Sequence, residues 1–172
     1  MLNKIILRKY DIRGLVNKNF FYHDAYYIGK AFATIISQNH TNDAINKNDN
    51  TCVLGYDGRI SSIEFFNQLS NGLIESGIDV ISIGLVATPM LYFAIKQFNA
   101  IGGIMITGSH NPSEYNGMKI TFKNHPFFDK QILELAEICD KKQFIEKNQK
   151  GNYKDINISD IYINTIIEKS IA

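Results

Sequence analysis

Apolar and polar positions along the chain form blocks that predict strands separated by helices. Apolar runs of strand length occur at residues 4–8, 51–55, 78–83, 101–106 and 118–122. Apolar residues recurring every three or four positions predict amphipathic helices over residues 24–38, 61–76, 88–98 and 129–139. This order is typical of an open sheet with helices on both faces. The sequence therefore predicts a three-layer α/β/α domain with a mixed, mostly parallel sheet, in which the strand at 118–122 is the candidate for antiparallel pairing.

Polar residues mark the predicted helix starts and the segments between elements. Ser61 with Glu64 has the spacing of a capping box, and Thr88 precedes Pro89 as an N-cap. Asp129 can cap the next helix, whose apolar face is formed by Ile132, Leu133, Ala136 and Cys139. Residues 39–50 are polar and aperiodic, which predicts a surface loop.

The character of the chain changes after residue 140. Residues 141–152 are rich in lysine and asparagine, and we interpret them as a linker. A helix beginning at Ser159 or Asp160 carries an apolar stripe formed by Ile163, Ile166, Ile167 and Ile171. No later element of the sequence covers this stripe. We therefore divide the chain into a domain at 1–140 and a linker with one further helix at 141–172.

Composition excludes several classes of protein. The 172 residues are 45% hydrophobic with a formal net charge of +1, which suits a globular domain and not a nucleic-acid binder. No apolar run reaches the roughly 18 residues of a membrane span, and the N-terminus lacks a signal-peptide core. Cys52 and Cys139 have no metal-binding or redox spacing, so we expect buried free thiols and a cytoplasmic location.

The stretch from Thr107 to Pro112 carries the clearest candidate chemistry. It directly follows the apolar run at 101–106 and presents a hydroxyl, an imidazole and an amide at the end of a predicted strand. Ligand sites of open α/β sheets lie at such strand ends. Taken alone, Ser-His-Asn-Pro is equally consistent with an ordinary turn. The usual glycine-rich nucleotide motifs and the HExxH metal motif are absent from the sequence.

Four stretches together resemble one known family. They are Arg8–Gly14 (RKYDIRG), Gly55–Arg59 (GYDGR), Thr107–Pro112 (TGSHNP) and Asn116–Ile120 (NGMKI). Their order and spacing are similar to those in domain I of the α-D-phosphohexomutases, the phosphoglucomutase/phosphomannomutase family. The resemblance extends from Arg8 into the first helix of what would be a truncated domain II. Gly108 stands where alanine is common in the family, and we expect little consequence because both residues are small.

The resemblance implies phosphoryl transfer through Ser109. In this family a phosphoserine donates its phosphoryl group to a hexose phosphate, and the resulting hexose 1,6-bisphosphate returns its other phosphoryl group to the serine. Because a serine hydroxyl is a weak nucleophile, a resting phosphoserine avoids the need to activate it first. Such transfers require in-line positioning and charge neutralisation, and the family uses Mg²⁺ for part of the latter.

The resemblance also suggests roles for residues around Ser109. Lys119 matches the family's active-site lysine and is a candidate general acid or base. His110 is a second candidate for proton transfer, with a structural role in the loop as the alternative. Arg13 is expected to stabilise the transferring phosphoryl oxygens, with Tyr10 beside it.

Three further assignments stay more open. Arg59 is expected either to contact the phosphate or to order the site by pairing with Asp57. Asn111 is placed in the substrate and phosphate environment. Asp11 and Lys9 are interpreted as solvated loop charges.

Several parts of the family's site are missing from the sequence. The aspartate-rich metal loop, the sugar-recognition loop and the phosphate-binding loop belong to domains II–IV, against which this domain would pack. Mg²⁺ would then be held here only through the phosphate on Ser109, although it prefers carboxylates as well. We expect the isolated chain to be inactive, and the sequence does not choose among glucose, mannose and glucosamine phosphates.

Two alternatives remain at this point. The chain could be a non-catalytic remnant that binds phosphate or a partner protein. It could also be an unrelated flavodoxin-like domain in which the four stretches are accidental.

Overall fold

A computed structural model of the protein describes residues 2–39 and 50–171. The helices are α1 (Tyr22–Gln38), α2 (Ser62–Glu75), α3 (Thr88–Gln97), α4 (Lys130–Lys141) and α5 (Ser159–Ile171). The strands are β1 (Ile12–Leu15), β2 (Thr51–Tyr56), β3 (Asp79–Leu85), β4 (Gly102–Ile106), β5 (Tyr115–Phe122), β6 (His125–Pro126) and β7 (Tyr153–Asp155). The predicted loop at 39–50 lies almost entirely outside the described residues.

The described strands form one mixed sheet with the order β1-β5-β4-β2-β3-β7, and β6 pairs with β5. β4, β2, β3 and β7 pair in parallel. β5 pairs antiparallel with β4, β1 and β6, so within the described residues β5 alone runs against the others. The predicted fold class, a mixed and mostly parallel sheet, is confirmed, and so is the antiparallel strand at 118–122.

Apolar layers cover both faces of this sheet. Along β2, Cys52 and Leu54 pack into one cluster with α1, α2 and α4, whereas Val53 packs into a second cluster with α3. Successive side chains of a strand point to opposite faces, so a continuous apolar run such as 51–55 indicates burial on both sides. The three-layer arrangement follows from this pattern.

The prediction for the first fifteen residues is wrong. Lys4–Ile6 forms a short 3-10 helix instead of a strand, with Ile6 buried and Ile5 exposed. The first strand is β1, at residues for which the sequence pattern predicts no strand. A four-residue segment has too little periodicity to predict a strand, and β1 forms because β5 lies beside it.

The predicted helix caps differ in detail from those observed. Helix α2 begins at Ser62, and Ser61 makes no capping hydrogen bond with its side chain. Glu64 accepts a hydrogen bond from Gln68 instead of closing a capping box. Asp129 precedes α4 as expected, but its φ of 50° leaves its side chain without a capping bond.

Two smaller predictions also need correction. Helix α3 includes Thr88 as its first residue, so the predicted N-cap is displaced by one position to Ala87. Leu133, which we assigned to the buried face of α4, is 59% exposed.

The chain beyond residue 140 returns to the sheet before it forms its last helix. The sequence pattern does not predict β7, which pairs in parallel with β3. Ile158 is fully buried in the cluster that contains α3. Helix α5 then buries none of its residues, and its predicted isoleucine stripe is exposed. The domain boundary between residues 140 and 141 stays a prediction.

Two further features of the described residues concern membrane-spanning helices and the two cysteines. No helix in residues 2–39 and 50–171 has the length and apolar character needed to cross a membrane. Cys52 and Cys139 are free and buried. Burial raises the pKa of the Cys139 thiol to about 12, so this group stays protonated in the folded protein at neutral pH.

Helices α1 and α2 approach each other closely at two glycines. A Cβ atom at Gly29 would lie 2.5 Å from the carbonyl oxygen of Leu69, and one at Gly72 would lie 2.2 Å from that of Tyr26. Both contacts are with backbone, which cannot move aside as a flexible side chain can. The spacing of the two helices therefore depends on the missing Cβ atoms.

We expect Gly72→Ala to lower the free energy of unfolding by about 1–3 kcal/mol, the usual effect of overpacking. Alanine would otherwise favour a helix interior by about 1 kcal/mol, so a loss of stability isolates the steric effect. Urea unfolding measures it. Gly58→Ala is the control because the nearest atom to its Cβ would be 3.9 Å away. Equal or higher stability in Gly72→Ala contradicts the prediction.

Candidate functional site

The candidate site lies at the carboxyl ends of β2 and β4. Tyr56, the last residue of β2, is paired with Ile106, the last residue of β4. The Asp57 amide donates a hydrogen bond to the Ile106 carbonyl oxygen at 3.0 Å, so the two following loops begin side by side. Because both strands are central in the sheet, the loops that follow them are anchored on a rigid base.

Ser109 lies in a tight turn at the start of the loop after β4. The Asn111 amide donates to the Gly108 carbonyl oxygen at 3.1 Å, and the Ser109 amide donates to Thr107 Oγ1 at 2.8 Å. Ser109 has a φ of 56°, a left-handed conformation that is uncommon for a residue with a Cβ atom. Its hydroxyl is exposed, with Oγ 3.4 Å from Nδ1 of His110. The turn therefore presents this serine to solvent in a strained, hydrogen-bonded backbone.

The side chain of Arg59 holds the serine loop in place by binding the backbone of the loop. Its guanidinium donates hydrogen bonds to the carbonyl oxygens of Ser109 (2.8 Å), Asn111 (2.8 Å), Pro112 (2.6 Å) and Tyr115 (3.0 Å). A planar guanidinium with five donors can satisfy several carbonyls at once. The side chain of Arg59 thus acts as a clamp on the loop.

Asp57 orients this clamp. Its carboxylate accepts a hydrogen bond from Arg59 Nε at 3.0 Å and one from the Ser62 hydroxyl at 2.6 Å. Burial by itself would raise the pKa of Asp57, but hydrogen bonds from Ser62, Thr107 and Arg59 more than offset it, so the pKa lies below its ordinary value. Of the two roles left open for Arg59, this geometry supports ordering of the site through Asp57.

Gly108 is less interchangeable with alanine than the sequence suggests. A Cβ atom at this position would lie 2.5 Å from Cζ of Arg59. Arg59 is held by four carbonyl oxygens and by Asp57, so it has little freedom to move away. In this chain the glycine allows the guanidinium to lie directly against the loop.

A second cluster of charges forms where β1 and β5 meet. Ile12 pairs with Met118, and continuing this antiparallel register places Asp11 opposite Lys119. Asp11 Oδ2 lies 3.0 Å from Nζ of Lys119 and also accepts a hydrogen bond from Nη2 of Arg13. The Asp11 side chain is only 8% exposed. Our interpretation of Asp11 as a solvated loop charge is therefore wrong.

A hydrogen bond between Arg13 and Asn111 connects this cluster to the serine loop. Nη1 of Arg13 lies 3.4 Å from Oδ1 of Asn111, two residues beyond Ser109. Around this contact is an open cavity of about 450 Å³, lined by Arg8, Lys9, Tyr10, Asp11, Arg13, Asn111 and Lys119. The structure thus brings Arg13, Lys119, Asn111 and Tyr10 together around one cavity, whereas Ser109 and His110 are not among its lining residues. Arg59 lies apart from this cavity and lines a neighbouring one with Asp57.

The charges of the cavity favour an anionic ligand. Its lining residues include four with basic side chains but one carboxylate, that of Asp11. Lys9 lies over the ring of the exposed Tyr10, with Nζ 5.5 Å from the ring centroid, and Phe128 packs against Tyr10 with the two centroids 6.2 Å apart. Basic groups around a cavity that Asn111 of the serine loop also lines suit a phosphate ester, which accepts several hydrogen bonds from arginine and lysine.

The same residues do not fit a Mg²⁺ site of their own. The carboxylates of Asp11 and Asp57 are each bound to basic side chains. Among residues 2–39 and 50–171 there is no group of three or more acidic, histidine or cysteine side chains that could hold a metal ion. A hard octahedral cation would need oxygen ligands beyond these.

Asn116 supports the site in a way that the sequence did not reveal. Its side chain is fully buried, and its amide nitrogen donates to the hydroxyls of Ser61 (2.9 Å) and Ser62 (3.0 Å). Its Oδ1 accepts from the amide of Gly117 at 2.8 Å. Asn116 therefore joins β5 to the start of α2. The only sequence signal was its place before the glycine of the NGMKI stretch.

We expect Asp57→Asn to lower the free energy of unfolding at pH 7 by about 1–3 kcal/mol, because charged hydrogen bonds to Arg59 and Ser62 weaken. The folded pKa of Asp57 is lowered, so its contribution is present above the ordinary value of 3.8 and is lost as the pH falls through the folded pKa. The difference between wild type and variant should narrow below about pH 3.8. Urea unfolding between pH 2.5 and 7 tests this, with Glu114→Gln as the exposed control. A constant difference contradicts it.

Comparison with known proteins agrees with this geometry. A sequence profile described as phosphoglucomutase/phosphomannomutase, alpha/beta/alpha domain I, matches residues 4–146. A phosphoglucomutase from Neisseria meningitidis (serogroup A) is 40% identical over 162 residues, which cover 94% of this chain and 34% of the relative. A phosphomannomutase/phosphoglucomutase from Pseudomonas syringae is 37% identical, covering 96% of this chain and 34% of the relative.

A solved structure gives the same result for the fold. A phosphoglucomutase/phosphomannomutase family protein from Burkholderia thailandensis superposes with a TM-score of 0.87 at 30% identity, over 98% of this chain and 36% of that one. The chain thus spans about a third of the length of these relatives. An unrelated flavodoxin-like domain is excluded. The chain belongs to the phosphoglucomutase/phosphomannomutase family and corresponds to its domain I.

Proposed function

We propose that this chain is the phosphoserine-bearing domain of a phosphohexomutase, in which Ser109 carries the phosphoryl group. The observation that carries the proposal is the exposed Ser109 hydroxyl on a clamped turn that also adjoins a cavity with four basic side chains. The whole protein would interconvert hexose 1-phosphate and hexose 6-phosphate through hexose 1,6-bisphosphate. The names of the relatives include both glucose and mannose enzymes, and the proposal covers hexose phosphates as a class.

The chemistry would depend on positioning and charge neutralisation. The transition state of phosphoryl transfer carries negative charge on the equatorial oxygens, which Arg13 and Lys119 would neutralise. Lys119 is paired with Asp11, so it would act on an incoming hydroxyl or phosphate as a proton donor and a positive charge. His110, whose Nδ1 lies 3.4 Å from Ser109 Oγ, would exchange a proton with this hydroxyl.

The remainder of the site would come from outside this domain. Mg²⁺ stays in the proposal only as an ion held jointly by a phosphate on Ser109 and by ligands beyond the described residues. The sugar would likewise be read by parts that correspond to the other two thirds of the relatives. A cytoplasmic location is part of the proposal because both cysteines are free thiols.

The first test is phosphate on Ser109 in protein isolated from its native cells. We expect mass spectrometry of the tryptic peptide to find it, and Ser109→Ala to abolish it. Ser113→Ala, which removes another exposed hydroxyl of the same loop, should leave the phosphate in place. An unphosphorylated Ser109 would favour the alternative of a non-catalytic domain that binds phosphate or a partner.

The second test is turnover by the 172-residue chain alone. We expect no activity above background in a coupled assay with glucose 1-phosphate or mannose 1-phosphate, with hexose 1,6-bisphosphate and Mg²⁺ present. The physical reason is that the described residues supply positive charge and the phosphoryl carrier, but neither a metal site nor a closed pocket. Turnover well above background would show that this domain is sufficient.

A further inference from the structure

Arg13 is incompletely satisfied in its present position, in contrast to Arg59. Its Nη2 donates to Asp11, and its Nη1 makes only a long contact of 3.4 Å to Asn111. Its Nε is buried and has no hydrogen-bond partner among residues 2–39 and 50–171. A buried polar group without a partner typically costs about 1–3 kcal/mol. The position of Arg13 is therefore not the one in which its guanidinium makes its best hydrogen bonds.

Asp11 is the anion that holds Arg13 there. A single oxygen of its carboxylate, Oδ2, contacts both Arg13 and Lys119. Arginine binds anions best through two parallel N–H donors, but the Asp11 carboxylate accepts a hydrogen bond from one nitrogen of Arg13, Nη2. A phosphate ester offers three terminal oxygens and close to two negative charges, so it can accept from both edges of the guanidinium and from Lys119 at once.

We propose that Asp11 is an exchangeable counter-ion of the site. It binds Arg13 and Lys119 while the cavity is empty of phosphate, and it yields them to a phosphate ester when one arrives. The incoming phosphate gives Arg13 Nε the partner that it lacks. This inference rests on the proposed function and deepens it. It assigns a role to Asp11, a residue that would not itself touch the phosphoryl oxygens.

The exchange has a consequence of definite sign. If Asp11 competes with phosphate for the same two cations, removing its charge strengthens phosphate binding. If Asp11 only keeps Arg13 and Lys119 in a fixed geometry, removing it weakens phosphate binding, since preorganisation is lost. One substitution, Asp11→Asn, therefore separates the two roles.

The experiment is a titration of the 172-residue chain with inorganic phosphate, followed by NMR of the backbone amides, in wild type and Asp11→Asn. We expect the dissociation constant to fall about fivefold or more in the variant, because two partly exposed ion pairs no longer compete. Glu114→Gln is the matched control. It removes the same charge beside the serine loop but away from the cavity, so its dissociation constant should stay within about twofold of wild type.

A second measurement keeps the proposal testable if Asp11→Asn does not fold. In the wild-type chain, the Arg13 Nε–H resonance should shift on addition of saturating phosphate, as this group acquires an acceptor. The Arg59 Nε–H, which already donates to Asp57, should not shift comparably. Arg13→Lys removes the first resonance and confirms its assignment.

Three results would overturn the inference: an unchanged or weaker phosphate affinity in Asp11→Asn, an unmoved Arg13 Nε–H at saturation, or no phosphate binding in either protein. None of them bears on whether Ser109 is phosphorylated in cells. The proposed function would fail on that separate measurement, so the two failures are distinguishable.

Discussion

The reversed direction of β5 is the constraint on which the candidate site depends. A parallel neighbour would require a long crossover, whereas β5 follows β4 after a loop of eight residues, 107–114, and runs back beside it. This short return confines the serine turn between two central strands. It also leaves the outer edge of β5 available to β1. Asp11 and Arg13 thereby reach Lys119, although they are more than a hundred residues away in the chain.

The two arginines near the loop differ in how fully they are satisfied. Arg59 bonds four carbonyl oxygens and Asp57, so its donors are committed to maintaining the loop backbone. Arg13 donates one hydrogen bond to Asp11 and a longer one to Asn111, and its Nε has no partner among the described residues. An arginine whose N–H donors are all hydrogen-bonded to the protein supports the structure around it, whereas one with an unbonded N–H donor is available for a ligand. The hydrogen bonds thus assign different tasks to two residues of the same type.

Membership in the phosphoglucomutase/phosphomannomutase family gives the exposed surfaces of this domain a context. The cavity that Asn111 of the serine loop lines with Arg13 and Lys119 is open. Helix α5 presents an isoleucine stripe that no described residue covers. Open, incomplete surfaces are expected of a domain that corresponds to a third of its relatives' length.

Local pattern was sufficient for much of the fold and for the serine loop. Helix α1 and strands β2 and β4 are long, strongly periodic or fully apolar, so their own residues determine them. The segments that local pattern misassigned are short. Residues 12–15 and 153–155 become strands only because β5 and β3 offer hydrogen-bonding edges to them. The caps at Ser61 and Asp129 failed because tertiary contacts engage or reorient these residues: the Ser61 hydroxyl bonds Asn116, and the Asp129 amide bonds Lys9.

The sequence by itself identified the candidate residues of the site: a serine, a histidine and an asparagine on a stiff loop, with Arg13 and Lys119 on separate stretches. Only the tertiary structure decided how they are held. Asp11 is charged, follows a tyrosine in a polar stretch and has nothing nearby in the chain to suggest burial. It is buried because antiparallel pairing of β1 with β5 places it opposite Lys119, while the alternation of a strand puts Arg13 on the same face. Register between distant strands is a property of the folded sheet, and no local pattern encodes it.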